Sequence, residues 1–466
     1  MNELCPNQTR SEARRLISTL SRGHSARSGG GLVAAMILSA SATVSFAQPC
    51  LSFEDIVLSP TVGYTGASSV ALGDIDNDSY IDMVIANRNS FATLGVRYGL
   101  LGGGFGPDVA LDIDGVEGTS NWANLTDYNH DGNLDVILAS RFPNRLRVLE
   151  GHGDGTFSFV SSAPINMDTP QSIALADFDN DGQDEALVGG VNGVELFDIS
   201  AMGIATFTQH VADDFMLYPD AADIDGDGWV DALIASEDQR AVFLFMNDGA
   251  GHLALGSLLQ VDSEVANTAK ALDFDMDGDL DVAVTTFDNA IWIFEQVAPG
   301  QFDSGTRIDV SQGAVLDPWH LSVGDLNGDS FPDLVFTSAI SDTIGVMTNL
   351  AGRESTLVSN PIYFQVNSVP NMSAIADIDD DGDLDIVAVD MGGGTDGQGS
   401  AIAIITNTTA GSPCYADITG DNTVDIYDLV AVFVDWGKNK SPADLNSDFD
   451  VNGVDLAMVL NNWSDQ

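Results

Sequence analysis

Short apolar runs of strand length recur along this chain in a fixed order, and turn residues separate them. One set comprises SVALG (69–73), SIALA (172–176) and SAIA (373–376). A second follows some twelve residues later as MVIA (83–86), VILA (136–139) and LVFT (334–337). A third reads VELFDI (194–199), AVFLFM (241–246) and AIWIFE (290–295). Val, Ile and Phe recur through the second and third sets, which favours strands over helices. Gly-rich clusters such as GHGDGTF (151–157) and NDGAGH (247–252) mark the turns between repeats. About four strands per period, with no helical pattern, predict an all-β fold: a β-propeller of seven four-stranded blades over residues 48–410. The segment SFEDIVLS (52–59) matches the strand that is missing after AIAIIT (401–406). The pattern therefore predicts that it completes the last blade as the outermost strand and closes the ring.

Between the first and second run of every period lies an acidic loop. The seven copies are DIDNDSYID (74–82), DYNHDGNLD (127–135), DFDNDGQDE (177–185), DIDGDGWVD (223–231), DFDMDGDLD (273–281), DLNGDSFPD (325–333) and DIDDDGDLD (377–385). Their first aspartates are 53, 50, 46, 50, 52 and 52 residues apart, the period of a repeat architecture.

Oxygen ligands at alternate positions of a tight loop suit calcium, a hard cation that takes six to eight oxygens. The expected side-chain ligands are Asp74, Asp76, Asp78 and Asp82; Asp127, Asn129, Asp131 and Asp135; Asp177, Asp179, Asp181 and Glu185; and Asp223, Asp225, Asp227 and Asp231. The remaining loops supply Asp273, Asp275, Asp277 and Asp281; Asp325, Asn327, Asp329 and Asp333; and Asp377, Asp379, Asp381 and Asp385. The seventh position varies freely (Tyr80, Asn133, Gln183, Trp229, Asp279, Phe331, Asp383), as expected where a backbone carbonyl binds. Gly stands sixth in five loops; Ser79 and Ser330 replace it in the two expected to bind most weakly. Position twelve is apolar in all seven, which excludes an EF-hand.

These repeats resemble the FG-GAP/VCBS calcium-loop propellers, whose members include integrin α heads and many secreted bacterial proteins. The resemblance covers residues 52–408 and implies calcium loops on one face, with ligands more often on the other. It implies no particular activity, because propellers host many functions.

Residues 411–466 follow a different pattern. CYADITGDNTVDIYDLVAVFVDWG (414–437) and ADLNSDFDVNGVDLAMVLNNW (443–463) each place an acidic loop before an apolar stretch of helical period. In the first helix the expected apolar face is Leu429, Val432, Phe433 and Trp436. The pair resembles a dockerin (type I), a small α-helical module that docks proteins onto cohesin-bearing scaffolds. That resemblance implies two further calcium ions. One is held by Asp417, Thr419, Asp421, Thr423, Asp425 and Asp428, the other by Asp444, Asn446, Asp448, Asp450, Asn452 and Asp455. The pairs after the ninth ligands, Ile426–Tyr427 and Gly453–Val454, differ, which argues against a symmetric two-way docking mode.

Five arginines, the apolar run 32–42 and Ser45-Phe46-Ala47 predict a bacterial signal peptide over residues 1–47 and a secreted or cell-surface protein. No later apolar run is long enough to span a membrane. Removing the leader leaves 11 basic and 68 acidic residues, a formal charge of −57. Such a surface excludes nucleic acid and anionic membranes as partners. Of the three cysteines, Cys50 and Cys414 survive cleavage and flank the closing strand and the last repeat, so a disulfide is expected between them.

No catalytic constellation emerges. No pair among the five histidines after the leader has metal-ligand spacing, and there is no nucleophile elbow or phosphate-binding glycine loop. A non-catalytic binding or adhesion module is the expected function, with a polysaccharide-active enzyme or lectin as the alternative. Two side-chain sets on the entering strands stand out. Lys270 and Asp220 hold the same place in neighbouring repeats and are expected to pair. Trp122, Tyr218, Trp319 and His320, five or six residues before their loops, are expected near the channel either as exposed rings, with Asn121, Gln171 and Asn371 beside them, for a glycan or protein ligand, or as rings that only fill space between blades.

Overall fold

The computed structural model describes residues 51–409 apart from 52, 55, 62–65, 89–93, 114–117, 262–264, 312–315, 350–357, 367–368 and 392–399; beyond them it describes 418, 426–438, 443, 451, 456 and 459. The chain divides into two compact units. One is Ser52–Gly352 with Thr356–Gly411; the other gathers Met1–Leu51, Arg353–Ser355 and Ser412–Gln466. The leader, both cysteines and the tail's loop residues other than Asp428 lie outside the described residues.

The large unit is built of antiparallel sheets in a β-propeller-like arrangement. Five separate sheets have four strands each, and an eight-stranded one combines two further sets. The two halves of that larger sheet are joined as strands at Gly190 and Met216. In every set the strand entering an acidic loop pairs with the strand leaving it, as Ala67–Gly73 pairs with Asp82–Asn87 and Met216–Ala222 with Asp231–Ser236.

The seven entering strands are Ala67–Gly73, Thr119–Thr126, Asp168–Ala176, Met216–Ala222, Ala266–Leu272, Pro318–Gly324 and Pro370–Ala376. Each packs against the next in chain order, and the last packs back against the first. Every sheet is thus flanked by two others. The second strands, such as Asp281–Thr286 and Asp333–Ser338, are buried throughout. That double burial explains their unbroken apolar runs, since a strand covered on both faces has no polar side to alternate with. Outer strands such as Ala205–Ala212 are largely exposed and mix polar with apolar residues.

The strand Val57–Pro60 lies outermost on the last set, with Val57 opposite Ile404 and Pro60 opposite Ala401. Side chains reinforce this seam. Arg97, 2% exposed, donates to the carbonyls of Ser59 and Pro60 at 3.2 Å and pairs with the buried Asp108. Ser400 Oγ accepts the N–H of Gly66 at 2.6 Å.

In the tail unit the helix Ile426–Asp435 buries Leu429 and Val432 in a small core with Ala443, Val451 and Val459. Phe433 and Trp436, expected on that buried face, are exposed and stack on each other at 6.0 Å. The apolar stripe is wider than the core it meets, because so small a unit has too little interior for four large side chains.

Candidate metal centres and the axial cavity

The seven acidic loops share one backbone design. The first aspartate accepts the N–H of the sixth residue in all seven, from Ser79 to Asp74 at 2.8 Å through Gly382 to Asp377 at 3.0 Å. The fifth residue accepts the N–H of the seventh, for example Trp229 to Asp227 at 2.9 Å and Phe331 to Asp329 at 3.0 Å. The backbone turns left-handed at both the fourth and sixth positions, so Asn77, Asn180, Met276 and Asp380 carry positive φ as well as the expected glycines. Ser79 and Ser330 take the same conformation, with φ of 75° and 73°.

The ninth carboxylate does more than the spacing predicted. Asp82, Asp135, Asp231, Asp281, Asp333 and Asp385 are buried. Each accepts one N–H from the loop's second residue and another from the end of the third strand. Asp333, for instance, receives Leu326 at 3.0 Å and Asn349 at 2.8 Å. Glu185, one methylene longer, instead takes both its bonds, from Phe178 and Asp179, on one oxygen. Burial pushes these acids up: Asp231 and Asp281 to about 6, Asp135 and Asp385 to about 7, Glu185 to about 8. Neighbouring loop carboxylates add to the rise, since like charges resist ionising together.

Five loops gather three carboxylate groups with ligand oxygens within 4.8 Å of one another: Asp74–Asp76–Asp78, Asp177–Asp179–Glu185, Asp223–Asp225–Asp231, Asp273–Asp275–Asp281 and Asp377–Asp379–Asp385. These five also contain buried carboxylate oxygens with no hydrogen-bond partner, on Asp76, Glu185, Asp223, Asp273 and Asp379. Such an oxygen is costly unless a cation meets it. The residues therefore fit a divalent ion. In the other two loops Asn129 and Asn327 stand third, so a neutral amide replaces one carboxylate.

The spacing did not reveal a second set of residues. At the end of the third strand Asn247, Gln296, Asn349 and Asn407 each reach a carbonyl in the preceding repeat's loop. Asn349 Nδ2 donates to Phe274 O at 2.6 Å, and Asn407 Nδ2 to Leu326 O at 2.7 Å. An amide closing an apolar run (FLFMN, IGVMTN, IAIITN) was the available signal. In the first two repeats Gly99 and Gly151 take that place, where a Cβ would come within 2.6 and 2.1 Å of a carbonyl oxygen.

Around the axis the entering strands enclose a cavity of about 640 Å³. Lys270 Nζ donates to Asp220 Oδ1 at 2.8 Å, and Asp220 Oδ2 accepts the N–H of Ala271 at 3.0 Å. Trp122, Tyr218 and His320 come together as expected, but they are buried and packed on one another, with ring centres 5.3–6.3 Å apart. Trp319 is half-buried; its Nε1 donates to the Tyr218 hydroxyl at 2.7 Å. His320 Nδ1 accepts from Ser373 N at 3.4 Å, and burial pushes the ring down to about 3, so it is neutral. Of the amides expected on the rim, Asn121 and Asn371 donate to carbonyls of the following entering strand, the latter returning to Ser68, and Gln171 Oε1 accepts from Arg88 at 2.7 Å; Asn267, not singled out in the sequence, makes the same bond as Asn121. The exposed aromatic rim read from the sequence is thus an axial layer, because only the crowded centre of a ring of strands has room for residues that every strand points inward.

Repeated sheets around an axis, each carrying an acidic loop between its first two strands, define a repeat protein of propeller type. Residues 127–188 and 273–336 match the FG-GAP-like repeat. The chain is 26% identical to cartilage acidic protein 1 of Xenopus tropicalis over 196 residues, covering 38% of this chain and 30% of that protein. It is 28% identical to the Homo sapiens protein of the same name over 147 residues, covering 30% and 22%. The match spans less than a third of the length of these curated relatives. Among solved structures, BBS1N in complex with ARL6DN superposes with a TM-score of 0.52 at 10% identity, covering 78% of this chain and 99% of that one. That likeness concerns the fold alone. Among the described residues, no helix is long and apolar enough to cross a membrane.

Proposed function

We propose that this protein is a secreted, non-catalytic binding module: a seven-bladed propeller that holds one calcium ion in each acidic loop and is tethered through its tail to a cohesin-like or other surface scaffold. The observation that carries the reading is the coincidence of carboxylate clusters with partnerless buried oxygens in the same five loops. Oxygen-only ligands at alternate positions favour calcium over softer or smaller ions. The exposed Tyr427, Phe433, Val434 and Trp436 on the tail helix support a docking role for that unit. A Cys50–Cys414 disulfide beside the closing strand belongs to the same reading, and intact-mass analysis finding both thiols free would remove it.

Calcium stoichiometry decides the central claim. Equilibrium dialysis of the full chain against ⁴⁵Ca should give at least five sites, with terbium luminescence excited through Trp229, the seventh residue of its loop. A stoichiometry of zero or one at millimolar calcium would overturn it.

A further inference from the structure

The axial cavity has a chemistry of its own, apart from the metal loops. Its floor is the buried layer of Trp122, Tyr218 and His320. Entering strands such as Met216–Ala222 and Pro370–Ala376 are buried at this end and become part-exposed as they run into their loops. The cavity therefore opens on the acidic face.

Three residues before each loop the strands contribute a ring of side chains. Ala71 and its ring neighbour Ala374 leave one side of the ring wide, and Ala174 stands between Asn124 and Asp220. Asn124, Asp220 and Lys270 supply hydrogen-bonding groups elsewhere on it. Lys270 and Asp220 are 24% and 21% exposed, and the space they face is this cavity. An ammonium has three donors, of which Asp220 takes one, and each carboxylate oxygen accepts more than one bond. The pair is thus a neutral donor–acceptor couple with capacity left over.

Charge narrows what can enter. The mouth is ringed by loops that stay negative even when each holds a divalent ion: 273–281 carries five aspartates and 377–385 carries six. An anionic ligand meets that ring, and a cationic one finds no uncompensated carboxylate inside the cavity, because Asp220 is already paired with Lys270. A volume of about 640 Å³ suits a molecule of one or two sugar rings. Vicinal hydroxyls match the couple, one accepting from the ammonium and one donating to the carboxylate, while an indole at the floor suits the C–H face of a sugar ring.

We propose that the axial cavity is a binding site for the end of a neutral saccharide chain, which enters from the loop face and is held by Lys270, Asp220 and Asn124 above Trp122. This rests on the binding-module reading and names the ligand class and place. It differs from an outer-rim site, since the aromatic residues act here as a floor.

The test is calorimetric titration of the full chain in millimolar calcium. The probes are neutral cello-, xylo-, manno- and malto-oligosaccharides, with oligogalacturonate and chitosan oligomers as charged counterparts. At least one neutral series should bind, and both charged series should bind at least tenfold more weakly. Ala174→Trp and Ala374→Phe, which fill the cavity from two different strands, and Lys270→Met should each weaken binding at least tenfold. The filling variants are first checked for an unchanged melting temperature in calcium and Lys270→Met for a cooperative melt above the titration temperature, and two filling variants guard against one failing to fold. Undiminished binding by a folded, cavity-filled variant would overturn the proposal, as would preference for a charged series or no neutral binding at all. Calcium stoichiometry measured on the same samples separates the readings: normal calcium uptake without saccharide binding sinks only the cavity site.

Discussion

Lys270 Nζ lies 2.8 Å from Asp220 Oδ1, joining the entering strands of two neighbouring repeats at the axis. Asp220 also accepts the N–H of Ala271, so its carboxylate holds its neighbour's backbone as well as its side chain. A double-mutant cycle of Lys270→Ala and Asp220→Ala should show coupling of about 1–2 kcal/mol, above that of an exposed pair because both groups are largely buried. Asp220→Ala alone should cost more than Lys270→Ala, since it also leaves the Ala271 N–H without a partner. Chemical denaturation in calcium measures both.

Calcium removal should destabilise the propeller unit strongly. Each site contributes about 1–3 kcal/mol when free calcium is ten- to a hundredfold above its dissociation constant. Extracellular sites bind at about 10⁻⁴–10⁻³ M, so millimolar calcium suffices. Scanning calorimetry in excess EDTA and in 5 mM calcium should differ by well over ten degrees; identical traces would sink the metal assignment.

The same carboxylates set an opposite pH response with and without metal. Those of Asp135, Glu185 and Asp385 are raised to about 7, 8 and 7, above the unfolded values near 4. Without calcium the folded state binds more protons than the unfolded one between pH 4 and 8, so stability falls as pH rises through that window. The melting temperature in EDTA should therefore be higher at pH 5.5 than at pH 8. In calcium the order should reverse, because ligand carboxylates must be ionised to bind.

Ser79 and Ser330 hold the left-handed conformation that glycine holds in the other loops. A side chain there costs about 1 kcal/mol relative to glycine. Ser79→Gly and Ser330→Gly should each raise stability by about 0.5–1 kcal/mol and strengthen calcium binding at that loop. Unchanged melting in both would show that the serine hydroxyl compensates.

Asn349 is buried and bonds across to Phe274 O in the preceding loop. Asn349→Ala should cost about 1–3 kcal/mol, since it leaves a buried carbonyl unsatisfied. Thermal melts of Asn349→Ala against exposed Asn166→Ala as control provide the comparison.

What was legible in the sequence is what repetition made visible. The strand order, the closing segment and the acidic loops each recur or visibly fail to recur, so spacing alone exposed them. The amides at Asn247, Gln296, Asn349 and Asn407 were missed because they act between repeats, and no pattern within one period reports which backbone will lie opposite. The aromatic residues were placed at the right depth on their strands, yet their burial depended on three strands converging. Trp122, Tyr218 and His320 fill one another's space only because their repeats face a common axis. The tail helix shows the converse: its apolar period is genuine, but the period cannot say how much of the stripe a core of five side chains covers.

The seam at Val57–Pro60 has a consequence in time. This strand emerges first from the ribosome, while its partner Ala401–Ile405 emerges after every other strand of the ring. Until then the first and last sets each present an unsatisfied flank, and Arg97 has no Ser59 or Pro60 carbonyl held in place to bind. Closure of the ring is therefore the last strand pairing that synthesis makes possible. A chain cut short anywhere before residue 401 cannot latch, so a closed ring certifies that all of its strands were made.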